Sequence, residues 1–183
     1  QQVSKTGLLL PMKRKFNSSR DLLQATVSFD TVNSHISGKA DAELELSIFL
    51  ESYARNLGFT TQRLPVTADG FNLLISHQVS DQGPWLLFES HLDTVSVAGM
   101  TIDPFAGEIR QERLYGRGAC DTKASGTAML QALKRYSLAP DPANNVAILY
   151  TLDEEVSKTG ITTFVENELP SLGWTPSGVI VGE

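Results

Sequence analysis

The sequence predicts an α/β fold, a mostly parallel or mixed central sheet with helices on both faces. Three observations carry that expectation. Short apolar, β-leaning runs ("PWLLFES", "NVAILYTL", "GVIVGE") suit central strands. Between them lie longer segments whose apolar residues recur at helical spacing. Strands that alternate with helices build parallel sheets covered on both sides. Finally, 183 residues, 41% hydrophobic and 20% charged, suit one globular domain with a real core.

The elements follow in chain order. Residues 19–33 are expected to be helical, with Ser19 as N-cap and Leu22, Leu23, Thr26 and Val27 on one side. A second helix starts at an Asp41 cap, carries Leu46, Leu50, Tyr53 and Leu57 on one face, and stops at Gly58. "FTTQRLPV" and "FNLLISHQV", separated by "TADG", read as neighbouring strands, and "PWLLFES" as a central one. Residues 123–136 return to helix, with Ala128, Met129, Ala132, Leu133 and Tyr136 turned inward. "NVAILYTL" is another central strand, 158–168 another helix, and "PSGVIVGE" a buried strand. A core strand that ends the sequence at Glu183 implies a piece of a longer protein. There is no internal repeat, low-complexity tract or evident linker.

Composition removes some function classes. A net charge of −6 argues against nucleic acid and anionic membranes as partners, since both reward a basic face. No apolar run approaches the roughly 20 residues needed to span a bilayer. "TGLLLP" is too short for a signal-peptide core, and the basic "KRK" follows it instead of preceding it. Cys120 is the single cysteine, so there is no internal disulfide framework; this fits a reducing, cytoplasmic compartment. It reads as a small core residue, and "NSS" at Asn17 is a formal glycosylation triplet.

The chemistry concentrates at strand ends. In open α/β sheets, ligands gather beyond the carboxyl ends of the strands. Three strands here finish in "LLFESHLD", "ILYTLDEE" and "VIVGE", and "YGRGACDTK" lies between the first two. Singly these residues have ordinary readings: His91 and Asp93 as a solvated H-x-D loop, Asp121 as a helix cap, Asp153 to Glu155 as an acidic loop. "GRGACDTKASG" lacks the spacing of a phosphate loop, and Asp121 at its helix start repels phosphate. Together, one imidazole and several carboxylates at adjacent strand ends suit Zn²⁺, Co²⁺ or Mn²⁺, and a carboxylate can bridge two such ions. A cation also removes the repulsion among adjacent acids. In extended backbone, Glu154 and Glu155 point oppositely, so one can ligate while the other faces a substrate. His35 and His77 read as ordinary surface or packing residues.

"SHLDTV", "DPFAGEIRQERLYGRGACDTK", "TLDEE" and "VIVGE" resemble the zinc-dependent family of acetylornithine deacetylase, succinyl-diaminopimelate desuccinylase, aminoacylase and carboxypeptidase G. The resemblance spans roughly residues 20–183, with Asp121 30 residues after His91, Glu155 34 further on and Glu183 another 28. It implies a co-catalytic zinc peptidase-like fold. His91 and Glu183 would hold one zinc, Glu155 the second, and Asp121 would bridge them. Asp93 would orient His91, and Glu154 would be the general base. The Asp121–Thr122 peptide is expected to be cis. The implied substrate is an N-acyl amino acid, with a carboxypeptidase or dipeptidase acting on short peptides as the alternative. From another class, a non-catalytic binding or assembly module keeping the fold is the competing reading; an intact Glu154 speaks against it. The resemblance also implies that residues 1–183 are the N-terminal portion of the catalytic domain. An inserted dimerisation domain, a homodimeric parent and a C-terminal part with a further zinc-binding histidine would lie beyond it. The chain alone is then expected to be weakly active or inactive and prone to self-association.

Overall fold

The computed structural model describes Phe16, residues 18–68 and residues 70–183. "TGLLLP", "KRK" and Asn17 lie outside the described residues. Helix α1 (Ser19–Val27) is capped by Ser18, whose hydroxyl accepts from the Asp21 amide at 3.1 Å, so the cap falls one residue before Ser19. It also ends six residues earlier than 33. Beyond Ser28 the chain extends, Val32 bridges to Thr94 in parallel, and Asn33 caps a one-turn helix α2 (Ser34–Ser37). The periodicity of 19–27 cannot report that change, because a tertiary contact sixty residues away causes it.

Helix α3 (Leu44–Asn56) buries Leu46, Leu50, Tyr53 and Ala54. Glu43, not Asp41, occupies its N-cap; Asp41 has left-handed backbone, φ 50°, in the preceding turn. Gly58 ends the helix with φ 87°, where a side chain would be strained. Strands β1 (Thr60–Pro65), β2 (Phe71–His77) and β3 (Trp85–His91) follow. A small hairpin comes next, β4 (Glu108–Arg110) with β5 (Arg113–Tyr115), and then helix α4 (Lys123–Tyr136) and strand β6 (Asn145–Thr151). The predicted helix 158–168 is three pieces: α5 (Thr159–Thr163), a π-helical turn (Phe164–Glu168) and α6 (Leu169–Ser171). Strand β7 (Pro176–Val181) completes the fold.

The sheet order is β1-β2-β6-β3-β7. Strands β6, β3 and β7 are mutually parallel, while β1 and β2 add antiparallel pairings, so the sheet is mixed. Side chains along β6 divide the core by the two-residue period of a strand. Val146, Ile148 and Tyr150 join Leu22, Leu46, Leu50, Leu130 and Leu133 on the face covered by α1, α3 and α4. Ala147 and Leu149 face Phe164, with Ile161, Leu169 and Leu172 packed around them on the other side. Helix α4 buries Gly126, Thr127, Leu130 and Leu133 and leaves Ala128 and Ala132 exposed, a rotation of the predicted inward face. Close approach explains it: a Cβ at Gly126 would sit 2.8 Å from the Tyr150 ring and 2.9 Å from Ser90 Oγ, so only glycine lets α4 lie against the sheet there.

Strand β7 is not buried as expected. Among the described residues it forms the sheet edge, with Val179, Ile180 and Val181 each about half exposed. Cys120 is exposed, not core. His77 packs edge-on between Phe59 and Tyr136, and His35 is exposed in α2. No helix among the described residues is long and apolar enough to cross a membrane.

Candidate metal centre

The three parallel strands β3, β6 and β7 run in one direction, so their carboxyl ends deliver His91, the turn 153–155 and Glu183 to one edge. Asp121 arrives at that edge from the turn before α4, where the Asp121–Thr122 peptide is cis as expected. Thr122 Oγ1 donates to the Gly182 carbonyl at 2.9 Å, and the Gly182 amide donates to Glu89 O at 2.9 Å. These two bonds pin Asp121 and Glu183 to the end of β3. Asp121 caps nothing: Thr122 is the N-cap of α4, without a side-chain cap bond.

His91 is 3% exposed, and its two ring nitrogens have different partners. Nδ1 lies 3.0 Å from the Asp93 carbonyl and 3.4 Å from Asp93 Oδ1; Nε2 lies 3.0 Å from Asp121 Oδ1. Burial disfavours a charge on the ring, but the hydrogen bond to Asp93 and the charges of Asp93 and Asp121 outweigh it, and its pKa is pushed up to about 9. Asp93 is fully buried. That burial works against its charge, yet His91, Asn33 and the amides of Glu154 and Glu155 hold its carboxyl below the usual carboxylate range.

Residues 153–155 form a turn, not the extended backbone assumed from the sequence. Asp153 adopts φ 59°, and the turn aims two successive amides at one carboxylate. Glu154 N donates to Asp93 Oδ1 at 2.9 Å and Glu155 N to Oδ2 at 3.0 Å. Asp93 therefore touches His91 on one side and carries the Glu154–Glu155 turn on the other. Burial and the charge of Asp121 raise the Glu155 pKa. Glu154 Oε1 meets Lys158 Nζ at 2.7 Å.

His91, Asp121 and Glu183 each offer a ligand atom, all within 4.8 Å of one another, the one such cluster among the described residues. Two donors bound to one tetrahedral zinc at about 2.0–2.2 Å sit about 3.4 Å apart, so the 3.0 Å His91–Asp121 approach needs only slight opening. One imidazole nitrogen with carboxylate oxygens is a donor set that suits zinc. Glu155 stands beside this cluster without belonging to it.

The profile of peptidase family M20/M25/M40 matches residues 87–183, which contain His91, Asp93, Asp121, Glu154, Glu155 and Glu183. The chain belongs to peptidase family M20/M25/M40. Among curated relatives, succinyl-diaminopimelate desuccinylase of Rhodospirillum centenum is 34% identical over 140 residues, 73% of this chain and 36% of the relative. The enzyme of the same name from Sulfurovum is 30% identical over 164 residues, 89% of this chain and 41% of the relative. The chain thus spans well under half the length of these M20 relatives. Its fold matches an M20 family metallo-carboxypeptidase from Sulfolobus solfataricus, with TM-score 0.78 and 21% identity over 91% of this chain and 37% of that one. It also matches human carnosine dipeptidase 1, with TM-score 0.73 and 18% identity over 89% and 37%.

Two residues around this cluster, Asn33 and Lys158, escaped the sequence reading because no short motif marks them and their contacts are made by folding. Thr122 and Asp153 stood inside quoted motifs, but their bonds to Gly182, Asn33 and Thr159 were not foreseen. Asp153 stood in the "DEE" run as one acid among three; its left-handed backbone and its bond from Thr159 Oγ1, 2.6 Å, distinguish it only in three dimensions.

Proposed function

We propose that the protein containing this chain is a metal-dependent amidohydrolase that cleaves the amide bond of an N-acyl amino acid. One observation carries the reading: the His91–Asp121–Glu183 cluster and the Glu154–Glu155 turn meet at Asp93. Desuccinylase-named relatives at 30–34% identity support the N-acyl substrate over a peptide. In this reading His91, Asp121 and Glu183 would hold zinc, and Glu155 beside them would offer a further carboxylate ligand. Zinc bound there supplies Lewis acidity, lowering the pKa of water and polarising an amide carbonyl.

The chain's own residues do the rest. Asp93 keeps His91 oriented through Nδ1, with Nε2 turned toward Asp121, where a cation would be held. Glu154 takes a proton from water as its oxygen adds to the acyl carbon, then gives that proton to the leaving amine nitrogen as the C–N bond breaks. Lys158 Nζ, 2.7 Å from Glu154 Oε1, holds the Glu154 carboxylate in place. The balance is one water consumed, one carboxylate and one protonated amine released. Residues 1–183 are the N-terminal portion of the catalytic domain, and the remaining ligands, the dimerisation domain and substrate-reading groups lie in the rest of the protein.

Zinc titration of the 183-residue chain against Asp121→Asn tests the site. Saturable binding lost in the variant supports it, and absence of binding in both sinks it. In the longer protein, Glu154→Gln should keep zinc and lose turnover; an active Glu154→Gln variant removes Glu154 as the base.

A further inference from the structure

Asn33 lies outside the matched family profile and in the segment that the sequence suggested was helical. It is fully buried, and every polar group of its side chain is committed. Its amide nitrogen donates to Asp93 Oδ2 at 2.7 Å and to Asp153 Oδ1 at 2.9 Å. Its carbonyl oxygen accepts from the His35 amide at 2.9 Å. The reverse orientation of the amide would turn an oxygen toward two buried carboxylates, so the arrangement has one sense. Two acids, Asp93 fully buried and Asp153 7% exposed, would otherwise face each other without a donor between them.

The backbone around Asn33 is fixed to the same site. Asn33 N donates to Thr94 O at 2.9 Å, Thr94 N donates to Thr31 O at 2.9 Å, and Lys123 Nζ donates to Phe29 O at 2.8 Å. The segment from Phe29 to Asn33 is therefore tied to the loop that follows His91 and to the first turn of the helix that follows Asp121. We propose that Asn33 is a positioning residue for the metal centre: its amide couples the carboxylate that orients His91 to the turn that presents Glu154 and Glu155. This rests on the metal-site reading above. The Asn33 side chain bonds none of the proposed metal ligands and acts through Asp93 and Asp153.

The test measures zinc affinity of the metal-free 183-residue chain by competition with a chromophoric chelator, alongside its urea unfolding. Asn33→Ala should weaken zinc binding by about 3- to 10-fold, less than the roughly 10- to 100-fold cost of losing a group bonded directly to a ligand, because Asn33 stands one contact behind Asp93. Asn33→Ser, which keeps one donor, should recover part of that loss. The control is Asn145→Ala, which removes an equally buried asparagine that organises the loop 79–83 at the far end of the sheet. It should lower stability yet leave zinc affinity within about twofold. Unchanged affinity in Asn33→Ala, or an equal loss in Asn145→Ala, overturns the positioning role. Unfolding of both Asn33 variants while Asn145→Ala folds also overturns it, reducing Asn33 to a structural residue. Wild-type chain that binds no zinc overturns the metal site itself and this role with it, so the two failures are distinct.

Discussion

Glu43 stands at the start of α3 with 6% of its surface exposed, facing the charges of Asp93 and Asp153. Burial, the largest influence, raises its carboxyl from an ordinary 4.5 to about 7, with the two aspartates adding to the rise and the amides of Glu43 and Asp153 opposing it. Because the folded value lies above the unfolded one, the chain carries no penalty from Glu43 below pH 4.5. The penalty grows as pH rises through 7. At about 1.4 kcal/mol per pH unit between the two values, it reaches about 3 kcal/mol near neutral pH. Glu43→Gln removes the ionisation while keeping the side chain's size and an acceptor oxygen. The variant should therefore match wild type at pH 4.5 and exceed it by about 3 kcal/mol at pH 7.5, in urea unfolding of the metal-free chain. The difference between the two curves isolates Glu43 from every other titrating group. Parallel curves across that range would refute the reasoning, since Glu43 would then be no more protonated in the fold than in the unfolded chain.

Three further outcomes can be checked by simple measurements. Arg63→Met removes the two bonds, 2.9 and 2.5 Å, that Arg63 gives to the fully buried Glu51 carboxylate, and should cost about 1.5–3 kcal/mol in urea unfolding; Arg55→Met, which takes one bond from Glu51 and one exposed bond from Thr61 Oγ1, leaves the carboxylate both Arg63 bonds and should cost less. Gly160→Ala places a Cβ 2.4 Å from Leu152 O and 2.8 Å from Leu152 N; backbone atoms cannot yield as a side-chain tip can, so at least about 1–3 kcal/mol should be lost, against almost none for Ala128→Ser on the exposed face of α4. Ile180→Lys puts a charge on the open β7 edge and should shift the isolated chain toward monomer in light scattering at high concentration; equal association of both forms would show that the edge is not what self-associates.

Much of the architecture was legible because local patterning and burial agree. The helix 123–136 and the runs that became β2, β3 and β6 carry their period in the sequence, and Gly58 announces a left-handed stop. Where local signals misled, a distant contact had intervened. Val32 pairs with Thr94, which ends the first helix early; Gly126 lies against Tyr150 and Ser90, which turns α4 on its axis. Strand β7 reads as buried from its composition alone, but exposure depends on which neighbours a strand has, and composition says nothing of that.

The candidate site divides in the same way. His91, Asp93, Asp121, Glu154, Glu155 and Glu183 were all nameable from the sequence, because cation chemistry needs imidazole and carboxylate groups and parallel strands bring their carboxyl ends together. Their division of contacts was not. That Asp93 receives both amides of the Glu154–Glu155 turn, that Asp153 reverses that turn, and that Asn33 ties the two aspartates together are products of the fold. Sequence records which groups are available, and residue type sets what each can donate or accept. Which donor meets which acceptor depends on angstrom-scale distances between segments up to 120 residues apart, and only the packed tertiary structure sets those.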